Sequence, residues 1–148
     1  MFKKLISTSD DIALTILRLV LGVVFFAHGA QKLLGWFGGF GFQGTMGAMN
    51  HVGVSAPLVY LIIAIEFFGG LGLIFGFLTR IPAFGVLVLM IGAIFMFHLP
   101  NGFFMNWYGN QKGEGIEFHL LAMAIAAALL LRGAGAFSVD RALSRSSG

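Results

Sequence analysis

Residues 12–34, IALTILRLVLGVVFFAHGAQKLL, decide what kind of protein this is. As a helix rising about 1.5 Å per residue, a run of about 23 residues crosses a hydrocarbon layer of about 30 Å. Arg18, His28, Gln31 and Lys32 interrupt it. Lys3 and Lys4 precede it, as they would in a secretory signal peptide. A signal core, however, is about 7–15 residues long and closes on small residues, whereas this run closes on Gln31-Lys32. A retained transmembrane helix is the expectation.

The rest of the chain supports it. Hydrophobic residues make up 58% and charged residues 10%, against about 45–50% and about 25% in soluble domains. A single domain of 148 residues cannot bury that much apolar surface in itself, so lipid must be its partner. The chain has no cysteine, which excludes disulfides, thiolate metal ligands and a thiol relay of its own. The net charge is +3, but the basic residues sit at helix ends rather than among aromatics on a polar face, so nucleic acid is not expected.

Three further apolar runs follow, at residues 57–78, 81–99 and 116–132. The expected fold is all-α: an antiparallel up-down bundle of four transmembrane helices. Pro57 suits a helix start, Thr79-Arg80-Ile81-Pro82 has room only for a tight turn, and Pro100-Asn101-Gly102 stops the third run. Between runs one and two the chain is Gly-rich and lacks Lys, Arg, Asp and Glu. Phe42 to His51 is expected there as a short interfacial helix in the first outer loop, beside an aromatic belt including Trp36, Phe37 and Phe40. A phosphate cradle is excluded because no GxxxxGK[ST] follows a strand. The residues after Arg132 read as a short surface tail.

Lys3, Lys4, Arg80, Arg132, Arg141 and Arg145 share one side of four crossings, against Lys112 and Lys32 on the other. This places both termini in the cytoplasm.

An ionisable group inside a transmembrane segment costs about 2.5–3.5 kcal/mol on insertion scales. Lys32 and Arg18 can snorkel. Glu66 cannot, because it lies about 13 Å from the nearer interface. His28, Lys32, His98, Glu117 and His119 are expected in the outer half of the bundle with Glu66 deeper, leaving only Arg18 in the cytoplasmic half. These six are the candidates for ligand binding or proton handling. Arg18, Gly22, Phe25, Gly29 and Lys32 form one helical stripe, and Glu66, Gly69, Gly70, Leu73 and Gly76 another, with a GxxxG at Gly72 and Gly76. Small residues let membrane helices approach closely. Helix one is therefore expected on helix two, with Glu66 paired to Lys32 or Arg18. Such a pair serves either as a structural lock or as a site. His28 and His98 could ligate a haem iron across the bundle, although no spacing marks this. Glu117 and His119 are two apart, so the ExxH signature of a di-metal site is missing and no metal is expected.

The motifs Arg18-Leu19-Val20-Leu21-Gly22 and Gly29-Ala30-Gln31-Lys32-Leu33 resemble the first-helix pattern of the DoxX family of small bacterial membrane proteins. Glu66-Phe67-Phe68-Gly69-Gly70-Leu71-Gly72-Leu73, followed by Gly76-Phe77-Leu78-Thr79-Arg80, resembles its second helix. Asn106-Trp107 and Glu117 to Leu121 resemble the start of its last. The resemblance implies a four-helix membrane fold. It also implies an association with redox work, as a subunit of membrane oxidoreductase complexes linked to quinones or oxidative stress, with any thiol chemistry left to a partner subunit.

The leading expectation is a membrane subunit that binds a small apolar redox molecule such as a quinone in the outer half. Phe25, Phe26, Phe67, Phe68, Phe95 and Phe97 would form the slot, Lys32 or His28 would contact a quinone oxygen, and Glu66 would exchange its proton. A small-solute transporter or channel and a non-catalytic membrane anchor remain the alternatives, and homo-oligomerisation stays open.

Overall fold

The computed structural model describes residues 2–146. Among them there is no β-strand. The helices are α1 (Phe2–Ile6), α2 (Ile12–Leu34), α3 (Gly41–His51), α4 (Ala56–Phe75), α5 (Arg80–Asn101), α6 (Glu117–Arg132) and α7 (Val139–Ser146). By length and composition α2, α4 and α5 can each cross a membrane. α2 packs on α4 and α6, and α5 packs on the same two. Leu21, Phe25, Leu73, Val86, Met90 and Ala126 meet in the core between them.

α2 starts at Asp11, whose Oδ1 accepts from the Ala13 N–H at 2.8 Å, and stops at Gly35 in the left-handed conformation. Its buried face holds Arg18, Gly22, Phe25 and Gly29, four members of the stripe read from the sequence. Gly29 and Gly70 allow the close approach. A Cβ on Gly29 would strike the Phe67 backbone, and one on Gly70 would lie 2.5 Å from the Phe26 nitrogen. Gly76 plays a different part from the one its GxxxG spacing suggested. It ends α4 at φ 66°, and a Cβ there would meet Ser138 and the Arg18 guanidinium. The Phe77 N–H returns to the Gly72 carbonyl at 2.9 Å and the Gly76 N–H to Leu73 at 3.1 Å, closing α4 with a Schellman turn. α4 therefore ends at Phe75, short of Leu78.

The segment after Arg132 is no surface tail. Ala134, Ala136, Ser138 and Asp140 are buried, because carbonyls and a carboxylate are needed there. Arg18, 1% exposed, donates from Nε to the Ala134 carbonyl at 2.9 Å, from Nη2 to Phe137 at 3.1 Å, and from Nη1 to the Leu73 and Ile74 carbonyls. The latter two stand at the negative end of a helix, Ile74 beside a Leu73 carbonyl that also takes the Gly76 N–H. The Asp140 carboxylate accepts the Leu78 and Thr79 N–H groups at 2.7 and 2.9 Å, holding a turn in which Leu78 takes a left-handed φ of 49°. Arg80 closes the neighbouring helix in the same way, donating to Leu130 and Leu131 at the end of α6 and to Leu5 and Ser7.

α4 and α5 are each interrupted by a π-helical turn, at Ile65–Gly69 and Ile94–His98. Each adds a residue to the helical turn, a distortion concentrated at functional sites. Glu66 sits on the first and His98 on the second.

Candidate functional site

A cavity of about 490 Å³ opens between α2, α4, α5 and α6. Its wall carries His28, Lys32, Glu66, His98 and His119 together with Phe25, Phe97 and Phe118. Five of the six sequence candidates thus share one chamber. Glu117 is not on its wall: its Oε1 accepts from Trp107 Nε1 at 2.9 Å, tying the start of α6 to the preceding loop.

Glu66 takes Lys32 as its partner, with Nζ 2.7 Å from Oε2. The alternative pairing of Glu66 with Arg18 is not formed, because Arg18 is spent on backbone carbonyls at the other end of α2. Glu66 is 7% exposed. Lys32 is held from behind, where the Thr45 hydroxyl of α3 donates to its carbonyl at 3.2 Å. An ammonium has three N–H donors, so one bond to Glu66 leaves two for a molecule in the cavity. His28 opens onto the cavity near Phe118, with ring centroids 6.4 Å apart. On the same wall the His98 and His119 rings lie 4.1 Å apart, and His98 Nδ1 is 2.9 Å from the Glu114 carbonyl.

The apolar walls differ from the expected Phe slot. Phe25 and Phe97 line the cavity. Phe26 and Phe67 pack on each other at 5.2 Å, and Phe68 and Phe95 are exposed on the outside, where lipid would cover them. The vacated places go to Met49, Met90, Met96 and Met105. That is four of the seven methionines, flexible side chains suited to adaptable pockets. Glu114 also reaches the wall. The sequence did not mark Glu114 as part of the site, because its place depends on the Asn101 amide, which donates to the Glu114 carbonyl at 3.1 Å.

Residues 13–99, which bring every one of these groups except those of α6 and its loop, match the family model described as DoxX. The chain belongs to the DoxX family. It is 30% identical over 92% of its length to 95% of the Escherichia coli (strain K12) "Inner membrane protein YqjF". It is also 30% identical, over 89% of its length and 87% of the relative, to the Bacillus subtilis (strain 168) protein named "Putative oxidoreductase CatD". The Mycobacterium tuberculosis "Uncharacterized membrane protein Rv3486" is 29% identical over 87% of this chain and 80% of its own. No solved structure matches. Within the matched residues, Arg18 of α2 and the Thr79-Arg80 turn lie at the carbonyl clasps, whereas Lys32 and Glu66 lie at the cavity.

Proposed function

We propose that this DoxX protein is a redox-associated subunit of a bacterial inner membrane that binds a small apolar redox molecule, a quinone by chemical class, in this cavity. The observation that carries the reading is the Lys32–Glu66 ion pair, set with three histidines into a largely apolar wall. Such a wall suits a ligand with an apolar ring and a few oxygens. The volume falls within the range of about 300–1,000 Å³ usual for small-molecule sites. Lys32, with His28 beside it, would donate to a ring oxygen, while Glu66 would exchange the proton that a change of oxidation state requires. The oxidoreductase name carried by one relative supports this reading.

In this reading α6 is the fourth crossing. Its 16 residues give about 24 Å of helix, packed between α5 and α2. Both termini face the cytoplasm and α3 lies along the outer interface. The Arg18 and Arg80 clasps then lie at the cytoplasmic end and the cavity in the outer half.

Titration of the protein in lipid nanodiscs with decylubiquinone, with and without Glu66→Gln, tests the proposal. Saturable one-to-one binding that Glu66→Gln weakens at unchanged detergent stability supports a site. Collapse of the fold in that variant with no binding by the wild type supports a structural lock in a non-catalytic anchor.

A further inference from the structure

His98 and His119 stand apart from the Lys32–Glu66 pair and have a geometry of their own. Their rings are in contact, with centroids 4.1 Å apart. A backbone carbonyl only accepts, so the contact of His98 Nδ1 with the Glu114 carbonyl at 2.9 Å puts the proton of a neutral His98 on Nδ1 and leaves a lone pair on Nε2. That carbonyl is itself fixed by the Asn101 amide, and the Glu114 carboxylate accepts the Asn106 N–H at 2.6 Å. The outer loop thus sets the tautomer of His98. His119 is 5% exposed on the cavity wall, and its ring meets the Gly115 carbonyl four residues back.

We propose that His98 and His119 act as one proton-exchanging unit between the cavity and the outer face, and that the ligand presents to it a ring oxygen that gains or loses a proton. This inference rests on the reading of the cavity as a ligand site. The unit holds one proton, since two imidazolium charges in contact would repel each other. A phenolic O–H gives its proton to a ring nitrogen of the pair: the O–H bond breaks, an N–H bond forms, and the phenolate stays bound. The imidazolium returns the proton to water through half-buried His98. The charged groups facing the pair are Lys32 and His28 from α2, Glu66 from α4, and Glu114 from the outer loop. Glu117 on α6 is engaged by Trp107.

The test is calorimetric titration of the nanodisc-embedded protein with 2-heptyl-4-hydroxyquinoline N-oxide, an air-stable phenolic analogue. Measurements near pH 6.5 in two buffers of different ionisation heat count the protons exchanged per ligand bound. The wild type is expected to exchange roughly half a proton or more. His98→Gln/His119→Gln is expected to lose most of that exchange per ligand bound, whatever its affinity. His98→Gln alone, at the half-buried ring, is expected to lose it too, which covers the case where the double variant fails to fold. Unchanged exchange per ligand bound in either histidine variant overturns the proposal and leaves the cavity reading standing. Exchange lost in Glu66→Gln but kept in the histidine variants overturns it in favour of the other pair. Absence of any wild-type binding overturns both.

Discussion

Lys32 Nζ lies 2.7 Å from Glu66 Oε2, on a wall whose neighbouring side chains are mostly aromatic, aliphatic and thioether. Removing one partner of such a pair leaves the other as an uncompensated charge, the costly case for a buried ion pair. Lys32→Met is therefore expected to destabilise the protein by about 2–4 kcal/mol, with Lys32→Met/Glu66→Leu recovering most of the loss. Thermal unfolding of the four species of the cycle in detergent gives the coupling directly. An additive cycle would show that the two side chains do not stabilise each other.

Arg18 spreads one guanidinium over carbonyls of α4 and of the segment before α7. A lysine cannot reproduce that planar fork. Arg18→Lys is expected to cost about 2–4 kcal/mol, close to the loss from Arg18→Gln, because carbonyls left bare in a buried place dominate both. Unfolding of both variants under identical conditions checks this. A well-tolerated lysine would show that charge alone is what the site needs.

Asp140 caps two N–H groups of the α4–α5 turn from 61 and 62 positions away. Asp140→Asn keeps one acceptor oxygen and is expected to cost about 1 kcal/mol, and Asp140→Ala about 2. Truncation after Arg132 removes the Arg18 acceptors as well and is expected to exceed either, measured as the loss of folded protein recovered from membranes.

The division between legible and hidden parts follows from chain distance. The three long helices and the α2 stripe are readable because hydropathy and 3.6-residue periodicity are local, whereas the tight turn expected at residues 79–82 lies at residues 76–79, since Gly76 ends α4 and α5 already begins at Arg80. The gathering of His28, Lys32, Glu66, His98 and His119 is legible too, since depth along an apolar run follows from counting residues. The partner of Arg18 is not, because backbone carbonyls carry no sequence signature and Ala134 lies 116 positions away. For the same reason residues 133–140 read as a tail. Arg80, counted among the charges that set orientation, is also a carbonyl clasp. Which phenylalanines face the cavity is hidden because the π-turns at Ile65–Gly69 and Ile94–His98 rotate the residues beyond them, and five-residue turns have no compositional mark.

Gly29 lies against the Phe67 backbone, where a Cβ has no room. Gly29→Ala is expected to force α2 and α4 apart and to cost about 2 kcal/mol or more. The Lys32–Glu66 contact, one turn away, would loosen with it. Lower thermal stability together with weaker ligand binding is the expected pairing, and an unperturbed variant would show that the helices have slack.

Gly92 offers the most direct test of the central claim. It lines the cavity, and a Cβ built on it meets nothing within 4 Å. Gly92→Leu fills the chamber from an open wall and, within a helix, adds up to about 1 kcal/mol of propensity. Decylubiquinone binding by this variant, measured beside its melting temperature, separates occupancy from folding. A ligand seated in this cavity requires a melting temperature equal to or above the wild type with binding abolished, and undiminished binding in a stably folded Gly92→Leu protein would contradict it.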